Sequence, residues 1–271
     1  MSSPLIDAVV LNSLLGSERP PVVLDVRWAV GTGTDRAAFD AGHTPGAQFI
    51  DLDTQLAAPP GAGGRHPIPS ASAFEESMRA AGVDAASAVV VYDGGLATSA
   101  ARAWWLLRYF GHRDVRVLDG GYSHWAASGF DVETLSVTPE RGDFSATAGS
   151  APTLGADDVL SFPGTVIDAR ARERYRGEVE PIDPVAGHIP GAVNRPTTDN
   201  VGADGRFLAA AELKDAFAPL VGDSPIAVYC GSGVTAAHQI LALELAGYEA
   251  SLYPGSWSGW ITDPSRPRAT S

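Results

Sequence analysis

The sequence has little of three things: cysteine, positive charge and long apolar runs. Cys230 is the only cysteine among the 271 residues, so no intramolecular disulfide can form and a reducing compartment suits the chain. The formal net charge of −13 argues against nucleic acid or an anionic membrane as a partner, because both bind basic surfaces. No run of about 18 apolar residues occurs, and Met1 does not open a basic segment followed by an apolar one, so we predict a cytoplasmic protein.

What is present is the composition of a globular protein. Hydrophobic residues make up 45% of the chain and charged residues 19%, which provides enough apolar surface for packed cores. Domains usually contain about 100 to 200 residues, so this length predicts two of them.

A strand, a tight loop and a helix surround the single cysteine. Residues 226–229 (Ile-Ala-Val-Tyr) favour a buried strand, and residues 236–245 have the apolar pattern of a helix. Between them, Gly231 and Gly233 let backbone N–H groups converge at a helix N-terminus, which is a setting that binds anions. We expect that anion to be the Cys230 thiolate, a nucleophile. The alternative is a small apolar residue in a buried turn, because free cysteine is among the most buried residue types.

The order of predicted elements occurs twice along the chain. Residues 42–47 (Gly-His-Thr-Pro-Gly-Ala) recur at 187–192 with five of six positions identical, and the strand at 89–92 recurs at 226–229. In each half, buried strands alternate with helices. We therefore predict an α/β protein made of a duplicated unit, each copy a doubly wound parallel sheet flanked by helices.

The two copies differ at the position of the nucleophile. Asp93 in the first copy corresponds to Cys230 in the second, and a carboxylate cannot act as a thiol. The polar, Pro- and Gly-containing stretch 139–152 is the natural linker. We therefore predict an inactive domain at 1–138, a linker at 139–152 and a catalytic domain at 153–271.

Some polar residues recur in both halves and are expected to be structural. Asp25 and Asp168 end predicted strands, each two residues before an arginine, and are predicted to be buried ion-pair partners rather than catalysts. His43 and His188 also occur in both copies, although only one copy holds a nucleophile. A histidine that recurs in this way is expected to support the fold.

The loop sequence Cys-Gly-Ser-Gly-Val-Thr-Ala, residues 230–236, resembles the active-site loop of 3-mercaptopyruvate sulfurtransferases in the rhodanese family. Thiosulfate-specific rhodaneses carry an Arg-Lys pair where this chain has Gly231 and Ser232. The related phosphatase loop has the pattern Cys-x5-Arg, whereas position 236 here is alanine. The resemblance extends over nearly the whole chain and implies tandem rhodanese-like domains.

The resemblance also implies a set of site residues. In the mercaptopyruvate enzymes an aspartate and a histidine from the inactive domain approach a serine of the active loop, and the matching positions are Asp53, His66 and Ser232. His66 lies in a Pro- and Gly-rich loop, so a solvated loop histidine is the alternative.

The substrate-binding positions also follow from the resemblance. The family's substrate-binding arginine matches Arg174, whose planar fork suits a carboxylate. The remaining positions are those of the loop itself: Gly231, Gly233, Val234 and Thr235. The family has a second arginine some nine residues after the first, and this chain has none between Gly177 and Asn194.

The predicted function is transfer of a sulfane sulfur from 3-mercaptopyruvate through a Cys230 persulfide to a thiol, cyanide or protein acceptor. Covalent catalysis of this kind needs no metal and no organic cofactor. Two alternatives stay open: a thiosulfate:cyanide sulfurtransferase, and a non-catalytic module in which Cys230 senses sulfur or redox state. Neither nucleic acid nor a membrane is expected as a partner.

Overall fold

The computed structural model describes residues 3–135 and 137–270, and the chain divides into two compact units. The first contains the chain up to Ala58, then Ile68–Ala151 and Ala203–Arg206. The second contains Pro59–Pro67, Pro152–Gly202 and the chain from Phe207 onward. Within the described residues, no helix is both long and apolar enough to cross a membrane.

The first unit is built on a parallel sheet of five strands. In chain order its elements are β1 (Leu5–Ile6), α1 (Ala8–Leu15), β2 (Val22–Asp25), β3 (Trp28–Ala29), β4 (Gly33–Thr34), α2 (Arg36–Ala41), β5 (Gln48–Phe49), α3 (Leu52–Gln55), α4 (Ala71–Ala80), β6 (Val89–Tyr92), α5 (Thr98–Tyr109), β7 (Val115–Leu118) and α6 (Gly121–Ala127). The sheet order is β1-β7-β6-β2-β5, and β3 and β4 form a separate antiparallel pair.

The second unit repeats this plan. Its elements are α7 (Ala156–Leu160), β8 (Thr165–Asp168), α8 (Arg172–Arg176), β9 (Val193–Asn194), a 3-10 helix (Thr197–Asn200), α9 (Ala210–Val221), β10 (Ile226–Tyr229), α10 (Thr235–Leu245), β11 (Ser251–Leu252) and α11 (Ser256–Trp260). Its parallel sheet has the order β11-β10-β8-β9. Thr153 adds a parallel bridge to Leu252 at the edge, where β1 lies in the first unit.

The equal strand order confirms the predicted duplication and the α/β fold class. In each sheet the strand with the longest apolar run, β6 or β10, is buried at every position and has neighbours on both sides. Such runs are typical of parallel sheets, since helices cover both faces. Because the carboxyl ends of parallel strands meet at one edge of a sheet, the loops after these strands are the places where a site can form.

Two regions differ from the secondary structure predicted. The sequence of residues 5–15 predicts one amphipathic segment, but Leu5–Ile6 is an edge strand paired with β7, and the helix begins only at Ala8. Asp7 separates the two because its side chain accepts a hydrogen bond from the Val9 N–H and caps the helix. The Pro and Gly content of residues 53–69 predicts a loop, but the short helix α3, which Asp51 caps, extends to Gln55.

The predicted linker, 139–152, runs in irregular structure along the first unit. Gly142 N–H donates to the Arg79 carbonyl, and Phe144 is buried against Phe74. The domain boundaries given above stay a prediction.

Buried ion pairs lie at the ends of β2 and β8, as predicted for Asp25 and Asp168. Arg27 donates from Nε and Nη2 to Asp25, from Nη1 to the Ala38 carbonyl and from Nη2 to the Gly42 carbonyl. Arg170 likewise donates from Nε and Nη2 to the Asp168 carboxylate. Burial outweighs these contacts at Asp25 and raises the pKa of its carboxyl group.

The recurring histidines are structural, also as predicted. The His43 Nδ1 lies 2.9 Å from the Phe39 carbonyl, and the His188 Nδ1 lies 2.8 Å from the Tyr175 carbonyl. Each ring stacks on the aromatic residue that supplies this carbonyl. These equivalent contacts tie the Gly-His-x-Pro-Gly turn to the same place in both units.

We expect the substitution Asp25→Ala to destabilise the first unit by about 3 to 5 kcal/mol, because Arg27 would keep its charge without a buried partner. The measurement is urea-induced unfolding followed by circular dichroism. Asp40→Ala is the control, since it removes an exposed ion pair with Arg36 and should cost no more than about 0.5 kcal/mol. Equal losses in the two variants would contradict the assignment.

Candidate active site

Cys230 directly follows β10 and is almost completely buried, with 1% of its surface exposed. The Gly233 N–H donates to its sulfur over 3.1 Å, and the Ser256 hydroxyl lies 4.0 Å from the same atom. Helix α10 begins at Thr235, directly after this turn, with Val234 as its N-cap. The sulfur therefore lies where loop N–H groups and the start of a helix favour negative charge.

The two loop glycines are required for different reasons. Gly233 adopts φ +83°, and a Cβ there would lie 2.6 Å from the Pro254 carbonyl oxygen. Gly231 has no positive φ, yet a Cβ on it would lie 2.9 Å from Nη2 of Arg65 and 3.4 Å from Nη1 of Arg174. Gly231 thus leaves room for two guanidinium groups beside the cysteine.

Ser232 and His66 are in hydrogen-bonding contact. Nδ1 of His66 lies 2.8 Å from the Ser232 hydroxyl oxygen, and Ser232 itself is buried. His66 comes from the first half of the sequence, but the segment that carries it, Pro59–Pro67, belongs to the second compact unit. The structure therefore brings Cys230, Ser232 and His66 into the same unit.

Short-range contacts fasten the segment Pro59–Pro67 to α11. The Arg65 N–H donates to the Ser258 hydroxyl over 3.0 Å. Gly64, at φ +98°, packs so tightly that a Cβ would lie 2.7 Å from the Gly255 carbonyl oxygen. These contacts hold Arg65 and His66 over the cysteine loop.

A cluster of alternating charges lies behind the loop. Arg174 donates to both carboxylate oxygens of Glu180, from Nε over 3.1 Å and from Nη2 over 2.7 Å. Asp183 pairs with Arg174 over 3.1 Å and with Nη1 of Arg65. Glu180 also contacts Arg170. Because both acids are buried and paired, they fix the guanidinium groups in place.

Asp53 lies in the first unit, within α3. Its carboxylate accepts a hydrogen bond from Nε1 of Trp28 over 2.9 Å. Its part in the predicted relay stays a proposal.

The first unit carries the same loop with an aspartate in place of the cysteine. The Asp93 carboxylate accepts hydrogen bonds from the N–H groups of Gly95, Ala97 and Ser99 at 2.9 to 3.0 Å, and from the Ser99 hydroxyl. This loop therefore forms an anion-binding turn that its own side chain fills.

Sequence reasoning missed four residues at this site: Arg65, Glu180, Asp183 and Ser256. Arg65 is adjacent to His66, which is a weak signal, whereas nothing in the sequence places Asp183 between two arginines. Across residues 3–135 and 137–270, no group of three or more His, Cys, Asp or Glu residues could hold a metal ion.

Comparison with known proteins adds to this geometry. The model of the rhodanese-like domain matches residues 7–128 and again 154–263. A probable 3-mercaptopyruvate sulfurtransferase of Pseudomonas aeruginosa is 45% identical over 99% of both chains. A putative thiosulfate sulfurtransferase, SseB of Mycobacterium tuberculosis, is 42% identical over 97% of this chain and 95% of its own. The crystal structure of SseA, a 3-mercaptopyruvate sulfotransferase of Escherichia coli, superposes with a TM-score of 0.81 at 34% identity, covering 95% of this chain and all of that one.

These relatives span the chain almost from end to end, and both copies of the domain are recognised. The comparisons agree with the duplicated parallel sheets. The chain therefore belongs to the rhodanese-like domain family, with two tandem domains, and is a sulfurtransferase.

Proposed function

We propose that this sulfurtransferase takes its sulfur from 3-mercaptopyruvate and carries it as a persulfide on Cys230. The observation that supports this donor best is the contact between His66 Nδ1 and the Ser232 hydroxyl, 2.8 Å apart, in the loop of the only cysteine. Such a pair can move a proton, and mercaptopyruvate is a donor whose leaving group needs one.

In the first half-reaction the Cys230 thiolate attacks the sulfur of the donor. The new S–S bond forms as the C–S bond breaks, and the three-carbon fragment leaves with the bonding electrons as the enolate of pyruvate. The Gly233 N–H, which already contacts Sγ over 3.1 Å, stabilises negative charge on the sulfur during this step.

The enolate then takes a proton at its terminal carbon and leaves as pyruvate. On this proposal the Ser232 hydroxyl delivers the proton and His66 replaces it, with Asp53 as the further member of the relay. Arg174 binds the donor's carboxylate, and the residues around the turn, Gly231, Gly233, Val234 and Thr235, shape the pocket.

In the second half-reaction a thiol, cyanide or a protein thiol attacks the outer sulfur and regenerates the Cys230 thiolate. The two half-reactions split one transfer into two steps through a covalent intermediate. On this proposal residues 153–271 carry the nucleophile, and residues 1–138 have none, because Asp93 cannot carry sulfur, but they supply Asp53 and His66. The proposed location is the cytoplasm, and neither nucleic acid nor a membrane is a proposed partner.

Thiosulfate is the second candidate donor, and one observation favours it. Guanidinium nitrogens of Arg65 and Arg174 both lie against Gly231, and a pair of cations suits a compact dianion. The relative from Mycobacterium tuberculosis carries the corresponding description.

The substitution Cys230→Ser should abolish sulfur transfer. Incubation of the unmodified protein with donor and no acceptor should add one sulfur atom to its mass, and the variant should gain none. Mass spectrometry under non-reducing conditions measures both. Turnover by a correctly folded serine variant would show that the sulfur does not pass through Cys230. An unmodified protein without turnover would instead favour the redox-sensing alternative.

The substitution Ser232→Ala should lower kcat for 3-mercaptopyruvate by about 100-fold, in the range typical of a lost general acid. Steady-state pyruvate release measures this rate. Thiosulfate is the internal control, because its leaving group, sulfite, needs no proton at carbon, and its rate should change by less than about threefold. Equal losses with the two donors would argue that Ser232 only shapes the loop.

We expect a preference for 3-mercaptopyruvate over thiosulfate of at least about tenfold in kcat/KM, because the loop has no cation of its own at positions 231 and 232 and a charge-assisted hydrogen bond is worth roughly tenfold or more. Parallel kinetics with the two donors measure it. Exchanging Gly231 for arginine is a less direct test, since the new Cβ would lie 2.9 Å from Nη2 of Arg65 and displace that side chain. A higher efficiency with thiosulfate would establish the second candidate.

A further inference from the structure

Two guanidinium groups converge on the backbone next to the nucleophile. Nη2 of Arg65 and Nη1 of Arg174 lie 2.9 and 3.4 Å from the position that a Cβ on Gly231 would occupy. They come from distant parts of the sequence, one from the segment Pro59–Pro67 and the other from α8. Their nitrogens therefore face the residue that follows Cys230.

The opposite edges of both guanidinium groups are held by buried carboxylates. Asp183 accepts hydrogen bonds from Nη1 of Arg65 and Nη2 of Arg174. Glu180 accepts hydrogen bonds from Nε and Nη2 of Arg174. The side chains of Asp183 and Glu180 are only 3 and 4% exposed. The acids thus orient the two forks so that Nη2 of Arg65 and Nη1 of Arg174 are the nitrogens nearest the loop.

Arg65 keeps its charge in this setting. Burial lowers the pKa of its guanidinium group, and the nearby Cys230 side chain opposes that shift. Arginine starts from so high a value that it stays protonated at neutral pH. Its main-chain N–H is anchored on Ser258, so little further ordering is needed to bind an anion.

We propose that Arg65 is a specificity-determining residue that, together with Arg174, binds the anionic group of the sulfur donor above Gly231. This inference rests on the proposed function and deepens it: for 3-mercaptopyruvate, the bound group is the carboxylate. Gly231 contributes to the same binding site, because a side chain there would push Arg65 away from the donor.

A competing role for Arg65 is to stabilise the Cys230 thiolate itself. The two roles differ in what they discriminate. An arginine that binds the donor's anionic group favours anionic over neutral reagents, whereas an arginine that stabilises the thiolate favours both alike. Because Cys230 is the only cysteine, its alkylation can be followed without interference from other thiols.

The experiment compares Arg65→Gln with Arg65→Lys and with Arg172→Gln in the full chain. Arg172 is a matched control because it also pairs with an aspartate, Asp199, but is exposed and outside the cluster. One measurement is KM and kcat for 3-mercaptopyruvate. The other is the ratio of Cys230 alkylation rates with iodoacetate and iodoacetamide, two reagents of similar size that differ in charge.

We expect Arg65→Gln to raise KM by about 10- to 100-fold, as for a lost charge-assisted hydrogen bond, with a smaller effect on kcat. The iodoacetate-to-iodoacetamide ratio should fall by about tenfold. Arg65→Lys should recover part of both, because it restores the charge without the fork, and Arg172→Gln should change neither. Circular dichroism and thermal unfolding check that each variant is folded.

An unchanged alkylation ratio in a folded Arg65→Gln variant would overturn the inference, including the case in which both alkylation rates fall together. A protein that releases no pyruvate from 3-mercaptopyruvate would refute the proposed donor instead. In that event the alkylation ratio, which depends on no donor, still decides the role of Arg65.

Discussion

The site depends on a set of main-chain hydrogen bonds between the cysteine loop and the start of α11. The Cys230 and Gly231 carbonyls accept from the N–H groups of Trp257 and Ser258, each over 2.9 Å, and the Cys230 N–H donates to the Ser256 hydroxyl. To make these contacts Ser256 adopts φ +51°, a left-handed conformation that costs a non-glycine residue on the order of 1 kcal/mol or more. Helix α11 also holds the segment Pro59–Pro67, so one short helix positions the nucleophile, Arg65 and His66 together.

The fold could be predicted from the sequence because its signals are local and repeated. Apolar runs such as 89–92 and 226–229 specify buried strands, and the recurring Gly-His-x-Pro-Gly turn fixes the alignment of the two halves. The loop at Cys230 also carried its own signal, since Gly233 is required by both its φ and the nearness of Pro254. In such cases one stretch of sequence contains all the residues that determine the local structure.

The remainder of the site could not be predicted in the same way because it depends on contacts between distant residues. Arg65 and Asp183 are 118 positions apart, and no period or turn pattern connects them. The sequence points to Gly231 for its backbone freedom, whereas the structure shows that guanidinium groups occupy the space beside it. The edge strand at Leu5–Ile6 is a similar case, since two residues become a strand only because β7 offers a free edge.

The Asp93 loop of the first unit keeps the turn that surrounds Cys230 in the second unit, with a carboxylate in place of the sulfur. Its carboxylate is attached to the loop by a covalent chain, so its effective concentration at the converging N–H groups is far above that of any dissolved anion. A single side chain therefore acts as a permanent inhibitor of its own anion site while preserving the turn that the site requires. The turn can therefore keep its structure without a cysteine, since its N–H groups stay hydrogen-bonded to Asp93.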